Sequence, residues 1–414
     1  WLKPFYFPVS STLPLLPPPL MVMRWLLATL FYSALCVEVA EGGRELLVVG
    51  AAGCDDTTVG GCSRDTDAGK QVLWQFWLSP AGSLEPHSKV KVSGIPAWLE
   101  ASPFRPECLF ATLVDKGSIA SLKVTRSGLE ARSEVASGGV HPVHLSVTQD
   151  GMTLLVANYH GPDDTHDSKG ASVASARIGA DCALTLASSI PHSGSSVVHG
   201  RQDAAHPHSF VAVRGGLAYA CDLGEDVIFT YAVDGKTSEL KELSRTKTEP
   251  GDGPRHLVQH PKEPLVFVVN ELSNSVTTYL QKGEDLTMQS SASTLPPGVD
   301  FPESKAAEIA ISADGSLIFA TNRGGKNSIC VFEVLEGGKL RQVRQVESPS
   351  FPRGMILAPS SVLVVAGQQH GVVQTFKTAT PNQSYLQWTG TNDTAPPTAA
   401  ALAVASIPSD VREL

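Results

Sequence analysis

The segment PHSFVAVRGGLAYACDLGEDVIFTYAVDG, residues 207–235, decides the fold. It holds three short apolar runs, SFVAV (209–213), LAYACDL (217–223) and VIFTYAV (227–233), separated by Arg214-Gly215-Gly216 and Gly224-Glu225-Asp226. Each run is rich in β-branched and aromatic residues and bounded by turn formers, which is the chemistry of a strand. The pattern then recurs. From Pro254 the chain reads RHLVQH, LVFVVNEL and SVTTYL. From Pro96 it reads AWLEAS, CLFATLV and SIASLKV, and from His141 it reads VHLSVT, TLLVANY and SVASARI. A sixth copy has AEIAIS, SLIFATN and SICVFEV, and a seventh, from Pro352, has RGMILA, VLVVAGQ and VVQTFKT.

The anchors Pro96, Pro142, Pro207, Pro254 and Pro352 are spaced by 46, 65, 47 and 98 residues. The last interval holds two repeats. The 65-residue interval holds one repeat plus an insertion between Ser188 and Ala205 and an acidic loop at Asp163–Asp167. A unit of this size built of short antiparallel strands is a propeller blade. The first unit, Leu46–Gly94, lacks a clear innermost strand, while Thr398–Ala405 is a spare apolar strand after the seventh. The expectation is therefore an all-β chain, a seven-bladed β-propeller over residues 46–406, its ring closed by a C-terminal strand that completes the first blade. Residues 407–414 are a tail.

Composition agrees. The 414 residues are 42% hydrophobic and 18% charged, with 36 Gly and 29 Pro, enough for a large core and many turns. A net charge of −9 with no basic stripe argues against nucleic acid as a partner. Residues 1–40 read as a leader. Met21 or Met23 is a plausible start, and Arg24 precedes the 13-residue apolar run Trp25–Val37. That run is short for a membrane span, which needs about 20 residues, and suits a signal-peptide core. The expected localisation is the secretory pathway, or the cytoplasm if this N-terminus is not the protein's true one. Cys54 and Cys62 flank a loop that a disulfide can close after export, whereas Cys108, Cys182, Cys221 and Cys330 sit singly in apolar runs and read as buried free thiols. Asn382 and Asn392 head glycosylation sequons.

Antiparallel pairing places the start of one strand beside the end of the next. His208 to Asp222 is 14 residues, Arg255 to Glu271 is 16 and Glu308 to Arg323 is 15. Strand starts hold Trp98, His144, His208, Arg255 with His256, Glu308 and Arg353, and strand ends hold Asn158, Asp222, Glu271, Arg323 and Gln368. All of these are expected at one mouth of the central channel. Arg255 and Glu271 can also be a structural ion pair. Asp222 can either orient a histidine or cap turn amides. His256 and His260 read as hydrogen-bonded fasteners rather than catalysts. His206 and His208, two apart on one strand, can share a face as metal ligands, but no cysteine or carboxylate triad completes them, and no metal or cofactor is expected. Calcium in the Asp163–Asp167 loop is a weaker alternative to a solvated loop.

HPHSF, DLG-D, GPRH with its following HP, VNEL and the NRG before an apolar strand together resemble the lactonase seven-bladed propeller family. That family includes bacterial 6-phosphogluconolactonase and the fungal 3-carboxy-cis,cis-muconate lactonizing enzyme. The resemblance covers roughly Leu46–Phe376 and is densest from His206 to Gly324. It implies a metal-independent site on one propeller face, with His208 (or His206), Arg255, Glu271 and Arg323 at its centre. His206, His144, Asp222 and Arg353 are added as substrate-binding candidates, with a small-molecule lactone as the partner. Arginine forks suit an anionic lactone, and Glu271 or His208 can activate water. No GxSxG elbow is present, which disfavours a serine acyl-enzyme. Cycloisomerisation of a muconate and a non-catalytic secreted binding module are the alternatives. Oligomeric state is open. On this reading, Glu271→Gln or Arg255→Ala abolishes turnover and leaves the thermal melt nearly unchanged.

Overall fold

The computed structural model describes residues 44–51, 71–159, 170–298, 301–379, 384–395 and 399–405. The leader, the Cys54–Cys62 loop, the acidic loop with Asp163 and the sequon at Asn382 all lie outside the described residues. Within them, seven four-stranded antiparallel sheets form the ring of a seven-bladed propeller. The only helical elements described are two single turns, at Ala180–Cys182 and Glu336–Gly338. No described helix is long and apolar enough to cross a membrane.

Counting blades from the N-terminus, the innermost strands are Ala399–Ala405, Pro96–Ala101, Pro142–Val147, Pro207–Val213, Pro254–Gln259, Lys305–Ile311 and Pro352–Leu357. Each packs against the next around the channel. Blade 1 draws its innermost strand from the far end of the chain, with Leu46 opposite Ala405 and Val49 opposite Leu402. The expected closure is present. It lets the two ends of the repeat share one sheet, which ties the first and last blades together.

The burial pattern follows position in the blade. The second strands, such as Cys108–Leu113, Leu265–Asn270 and Val362–Gly367, are buried at every residue, because neighbouring blades cover both faces. Outermost strands such as Asp285–Ser293 alternate buried or half-buried with exposed. The cores accordingly lie between blades. Phe267 of blade 5 packs in one cluster with Ile318 and Phe332 of blade 6. At about 25 cal/mol per Å² of apolar surface, such interfaces supply most of the favourable free energy of folding.

Two features of the backbone build the site. The first is a bulge at the mouth end of an innermost strand. Pairing slips between Pro207 and Ser209, between Pro254 and His256, and between Pro352 and Gly354, leaving His208, Arg255 and Arg353 as the extra residues. Bulges re-aim side chains, and in blade 5 this lets both Arg255 and His256 reach the same space. The second is a buried clasp at the end of the second strand. Asn158 donates to Ser137 O and Ser172 Oγ, Asn270 to Ser275 Oγ, and Asn322 to Thr294 O and Ser328 Oγ.

One cysteine expectation is overturned. Cys108, at the start of the second strand of blade 2, and Cys182, in the turn of blade 3, are not free thiols but a buried disulfide spanning 74 residues. Each lies in an apolar run of its own blade, and only the packing of the two blades brings them together. Cys221 and Cys330 are free and buried as expected.

Candidate active site at one mouth of the channel

Glu271 is the centre of the cluster. It follows Asn270 at the end of the second strand of blade 5, and its amide donates to Gly253 O at 2.8 Å. Gly253 has φ 60°, and a Cβ there would lie 2.6 Å from Leu272 Cγ, so this close turn needs glycine. Glu271 Oε1 accepts from Arg201 Nη2 at 2.6 Å, and Oε2 accepts from Arg255 Nε at 3.1 Å and Arg323 Nη2 at 2.8 Å. The carboxylate is 1% exposed and Arg255 2%. Burial alone raises the Glu271 carboxyl, but the guanidiniums of Arg201, Arg323 and Arg255 outweigh it and hold it well below the usual carboxylate range. A carboxylate so held is a weak base. Its chemistry is to orient three guanidinium groups.

A second set of side chains runs from His208 across the channel. His208 Nδ1 lies 3.1 Å from His256 Nε2, and His256 Nδ1 lies 2.8 Å from Glu308 Oε1. Ile309 N also donates to Glu308 Oε1, at 3.1 Å. Arg255 Nη1 donates to Ala307 O at 2.6 Å and stands 3.3 Å from both ring nitrogens of His256. Burial, then the charge of Arg255, pushes both His208 and His256 well below the ordinary imidazole range, so both are neutral near pH 7. Glu308 goes the other way. Burial raises it to about 7, against the pull of Arg255. Burial likewise lowers Arg255 to about 9, helped by Arg323.

Aromatic rings wall this set. His144 stacks at 4.3 Å on Trp98, and both rings lie within 5.2 Å of His256, edge to face. Tyr159 meets His208 edge-on at 5.3 Å and stacks on His206 at 4.5 Å. The result is a dry floor of imidazoles and indole carrying a rim of arginines. Such a site can orient an anion, stabilise developing negative charge and accept a proton at a neutral imidazole.

A family model described as a lactonase, 7-bladed beta-propeller, matches residues 57–402. The chain belongs to this family. The 6-phosphogluconolactonase of Formosa agariphila is 28% identical over 273 residues, 63% of this chain and 74% of that protein. The 6-phosphogluconolactonase of Bacillus subtilis is 31% identical over 238 residues, 56% of this chain and 64% of that one. Among solved structures, the periplasmic gluconolactonase of Pseudomonas aeruginosa is similar with a TM-score of 0.74 at 25% identity, covering 88% of this chain and 100% of its own.

In this lactonase-family propeller the sequence-predicted residues divide into two groups. His144, His208, Arg255, Glu271 and Arg323 meet at one mouth, and Arg353 is close enough for its charge to act on His208 and Arg255. His206 stands at the edge, its ring on Tyr159. Asp222 is elsewhere. Its Oδ1 accepts from the amides of His206, Gly224 and Glu225, and its Oδ2 pairs with His192 Nδ1 at 2.8 Å. It is fully buried and serves the turn and His192 rather than the mouth. Asn158 is likewise a clasp, not a channel-lining residue.

The reason is a register of one residue. Asn158, Asp222, Asn270 and Asn322 occupy equivalent pairing positions, opposite Pro142, Pro207, Pro254 and Ala306. Glu271 and Arg323 are one residue later, and the equivalents in blades 3 and 4 are Tyr159 and Leu223. A one-residue shift moves a strand side chain to the opposite face.

Sequence reading missed three participants. Arg201 comes from the insertion after blade 3, whose only signal was the 65-residue interval. Tyr159 was hidden by the choice of Asn158. His256 was read as a fastener, yet it links His208 to Glu308. His260 is the fastener, accepting from the amides of Lys262 and Glu263. Among the described residues one group has metal-ligand atoms within reach of each other, His192 with Asp222 and Glu225. Both nitrogens of His192 are already taken there, by Asp222 and by Tyr231 Oη.

Proposed function

We propose that the protein is a lactone hydrolase that opens sugar lactones with water at this mouth, without a metal. The observation that carries the reading is His208. Burial and the nearby arginines keep its imidazole neutral, Nδ1 is engaged by His256, and no hydrogen bond occupies Nε2 among the described residues. It stands beside the arginines that Glu271 orients. Family membership and the names of the relatives point the same way.

Water attacks the lactone carbonyl while His208 Nε2 takes its proton. Arg255 or Arg323 stabilises the oxyanion, and Arg201 and Arg353 at the rim hold anionic or hydroxyl groups of the substrate. His208 then returns the proton to the ring oxygen as the C–O bond breaks. A positioned acid–base group contributes about 10²–10⁴-fold, a suitable magnitude for an ester already activated by its ring. Glu271, held far below neutrality, serves as the anchor of the arginines. The mouth histidines hand hydrogen bonds to one another in series and do not converge on a point as metal ligands do.

The buried Cys108–Cys182 disulfide supports maturation in an oxidising compartment, in line with the signal-peptide reading of the leader. An exported lactonase meets unphosphorylated lactones, so aldonolactones without phosphate are the proposed substrates. The test is a panel of phosphorylated and unphosphorylated aldonolactones, assayed with and without chelator. Turnover of an aldonolactone that survives chelation is expected. Inertness toward the whole panel would sink the reading.

A further inference from the structure

We infer that Glu308 and His256 form a buried relay that fixes the tautomer of His208 and stabilises its protonated form, making His208 Nε2 the base at this mouth. The inference rests on the lactone-hydrolase reading and adds two positioning residues to it, neither of which need touch substrate.

Hydrogen-bond direction fixes the tautomers. When Glu308 is ionised its Oε1 can only accept, from the Ile309 amide and from the His256 nitrogen 2.8 Å away, so that nitrogen, Nδ1, carries the hydrogen. A neutral His256 then has its lone pair on Nε2. The lone pair on His256 Nε2 faces His208 Nδ1 at 3.1 Å, so His208 Nδ1 carries the hydrogen and His208 Nε2 is left bare. Each assignment forces the next. Three blades contribute one member each, and Glu308 is itself fixed at its backbone, where its amide donates to Thr321 Oγ1 at 2.9 Å.

The relay also answers where charge goes. When water adds to the carbonyl, its O–H proton moves to His208 Nε2 and its electron pair forms the new C–O bond. His208 is then an imidazolium donating through Nδ1 to His256, whose Nδ1–H donates to the Glu308 carboxylate. On collapse the ring C–O bond breaks and its oxygen takes the proton from His208 Nε2, restoring the starting relay. The charged groups around these three are arginines and one carboxylate. Arg255, Arg323 and Arg353 act on His208 and His256, Glu271 opposes them at His256 while orienting the arginines, and Arg255 and Arg323 with His144 act on Glu308. Arginines oppose an imidazolium at His208, and the Glu308 carboxylate, hydrogen-bonded to His256 at the far end of the relay, offsets them through that chain. Glu308 must be ionised for this, and its burial puts that ionisation near pH 7.

The test uses the full chain with the best lactone of the panel. Wild type should show kcat/KM rising with pH through about 7. Glu308→Gln keeps the shape but cannot hold a charge. It should lower kcat about 100-fold with KM within about twofold, and remove the rising limb. His256→Phe, which keeps the aromatic packing against Trp98 and His144, should do the same, and the double variant should be no slower than either single, as groups acting in one chain are non-additive. Nitrogen-15 NMR of the histidines supplies a substrate-free readout. His208 and His256 should both carry hydrogen on Nδ1 at pH 8 in wild type, and Glu308→Gln should lose that preference. A Glu308→Gln enzyme with wild-type kcat and an intact rising limb, or wild-type His208 protonated on Nε2, overturns the relay. If wild type opens no lactone, the function reading fails and the NMR result alone decides the relay.

Discussion

Replacing Glu271 by Gln tests the centre of the site with one oxygen changed to nitrogen. The sequence alone led to the expectation of lost turnover with an unchanged melt, and the structure revises the second half. Glu271 and Arg255 side chains are each 2% exposed, and Arg323 10%. Removing one member of a buried pair costs about 3–5 kcal/mol, because the remaining charge is left uncompensated. Here two buried guanidiniums lose their anion together, and Arg255 is already strained toward neutrality by burial. For a domain of about 360 residues, an unfolding entropy of about 2.1 cal/mol/K per residue gives ~0.76 kcal/mol/K, so the loss corresponds to a Tm lower by about 4–7 °C. Calorimetry at pH 7 measures it, with lactonase activity on the same sample expected to fall by at least about 100-fold as the arginines lose their orientation. The sign with pH is also fixed. The folded-state pKa of Glu271 is depressed, so its stabilisation is complete above the unfolded value of about 4.3 and is lost as pH falls from there toward the folded value. The Tm gap between wild type and variant should therefore hold from pH 8 to 5 and narrow only in stronger acid. A variant melting within 1 °C of wild type at pH 7, by roughly the scale above, would refute the triple-arginine account.

Three further outcomes follow from the geometry. Arg201→Ala removes a rim guanidinium that pairs with the buried Glu271, so KM should rise about tenfold and Tm should fall, by less than in Glu271→Gln because Arg255 and Arg323 still face the carboxylate, and unchanged steady-state kinetics would place Arg201 outside the site. Cys108→Ala opens a 74-residue loop, worth about 4 kcal/mol in loop entropy and about 6 °C in Tm, and a reductant should lower the wild-type melt similarly; thiol counting that finds both cysteines free in the native protein contradicts the disulfide. Asp222→Asn weakens acceptance from three amides and His192, which should cost about 2–3 kcal/mol and leave KM unchanged, whereas a raised KM at wild-type stability would return Asp222 to substrate binding.

The propeller was legible because its determinants are local and repeated. Apolar runs, turn residues and anchor prolines recur at a near-constant step, and the one missing strand had one spare strand to match it. The second strands were legible for the same reason, since burial on both faces makes them unbroken apolar runs. Side-chain direction was not, because it turns on a single residue of register that neither run length nor spacing fixes. The motif ends NY, DL, NE and NR align Asn158, Asp222, Asn270 and Asn322 as one buried position and place Tyr159, Leu223, Glu271 and Arg323 together at the next. Choosing the most polar residue in each motif mixed the two sets. The disulfide and Arg201 were beyond reach for a different reason. Cys108 meets Cys182, and Arg201 meets Glu271, only after two blades have packed, and sequence periodicity carries no information about contacts between repeats.

The same distinction explains why the arginines and the histidines do different jobs at one mouth. His208, Arg255 and Arg353 are the extra residues of three bulges, all one step after a proline, so the fold alone delivers them to the mouth. His256 and Glu308 are one step deeper. From there His256 hydrogen-bonds to both neighbouring blades, toward His208 on one side and Glu308 on the other. A ring of identical units would place identical groups at every step and give no direction for a proton to move. Direction arises because blades 4, 5 and 6 carry different residues at the starts of their innermost strands, an imidazole at the bulge of blade 4 and an imidazole and a carboxylate one step later in blades 5 and 6. Exchanging Glu308 for Gln leaves the ring intact and removes that order, which is why its effect should appear in kcat and the pH profile rather than in substrate affinity.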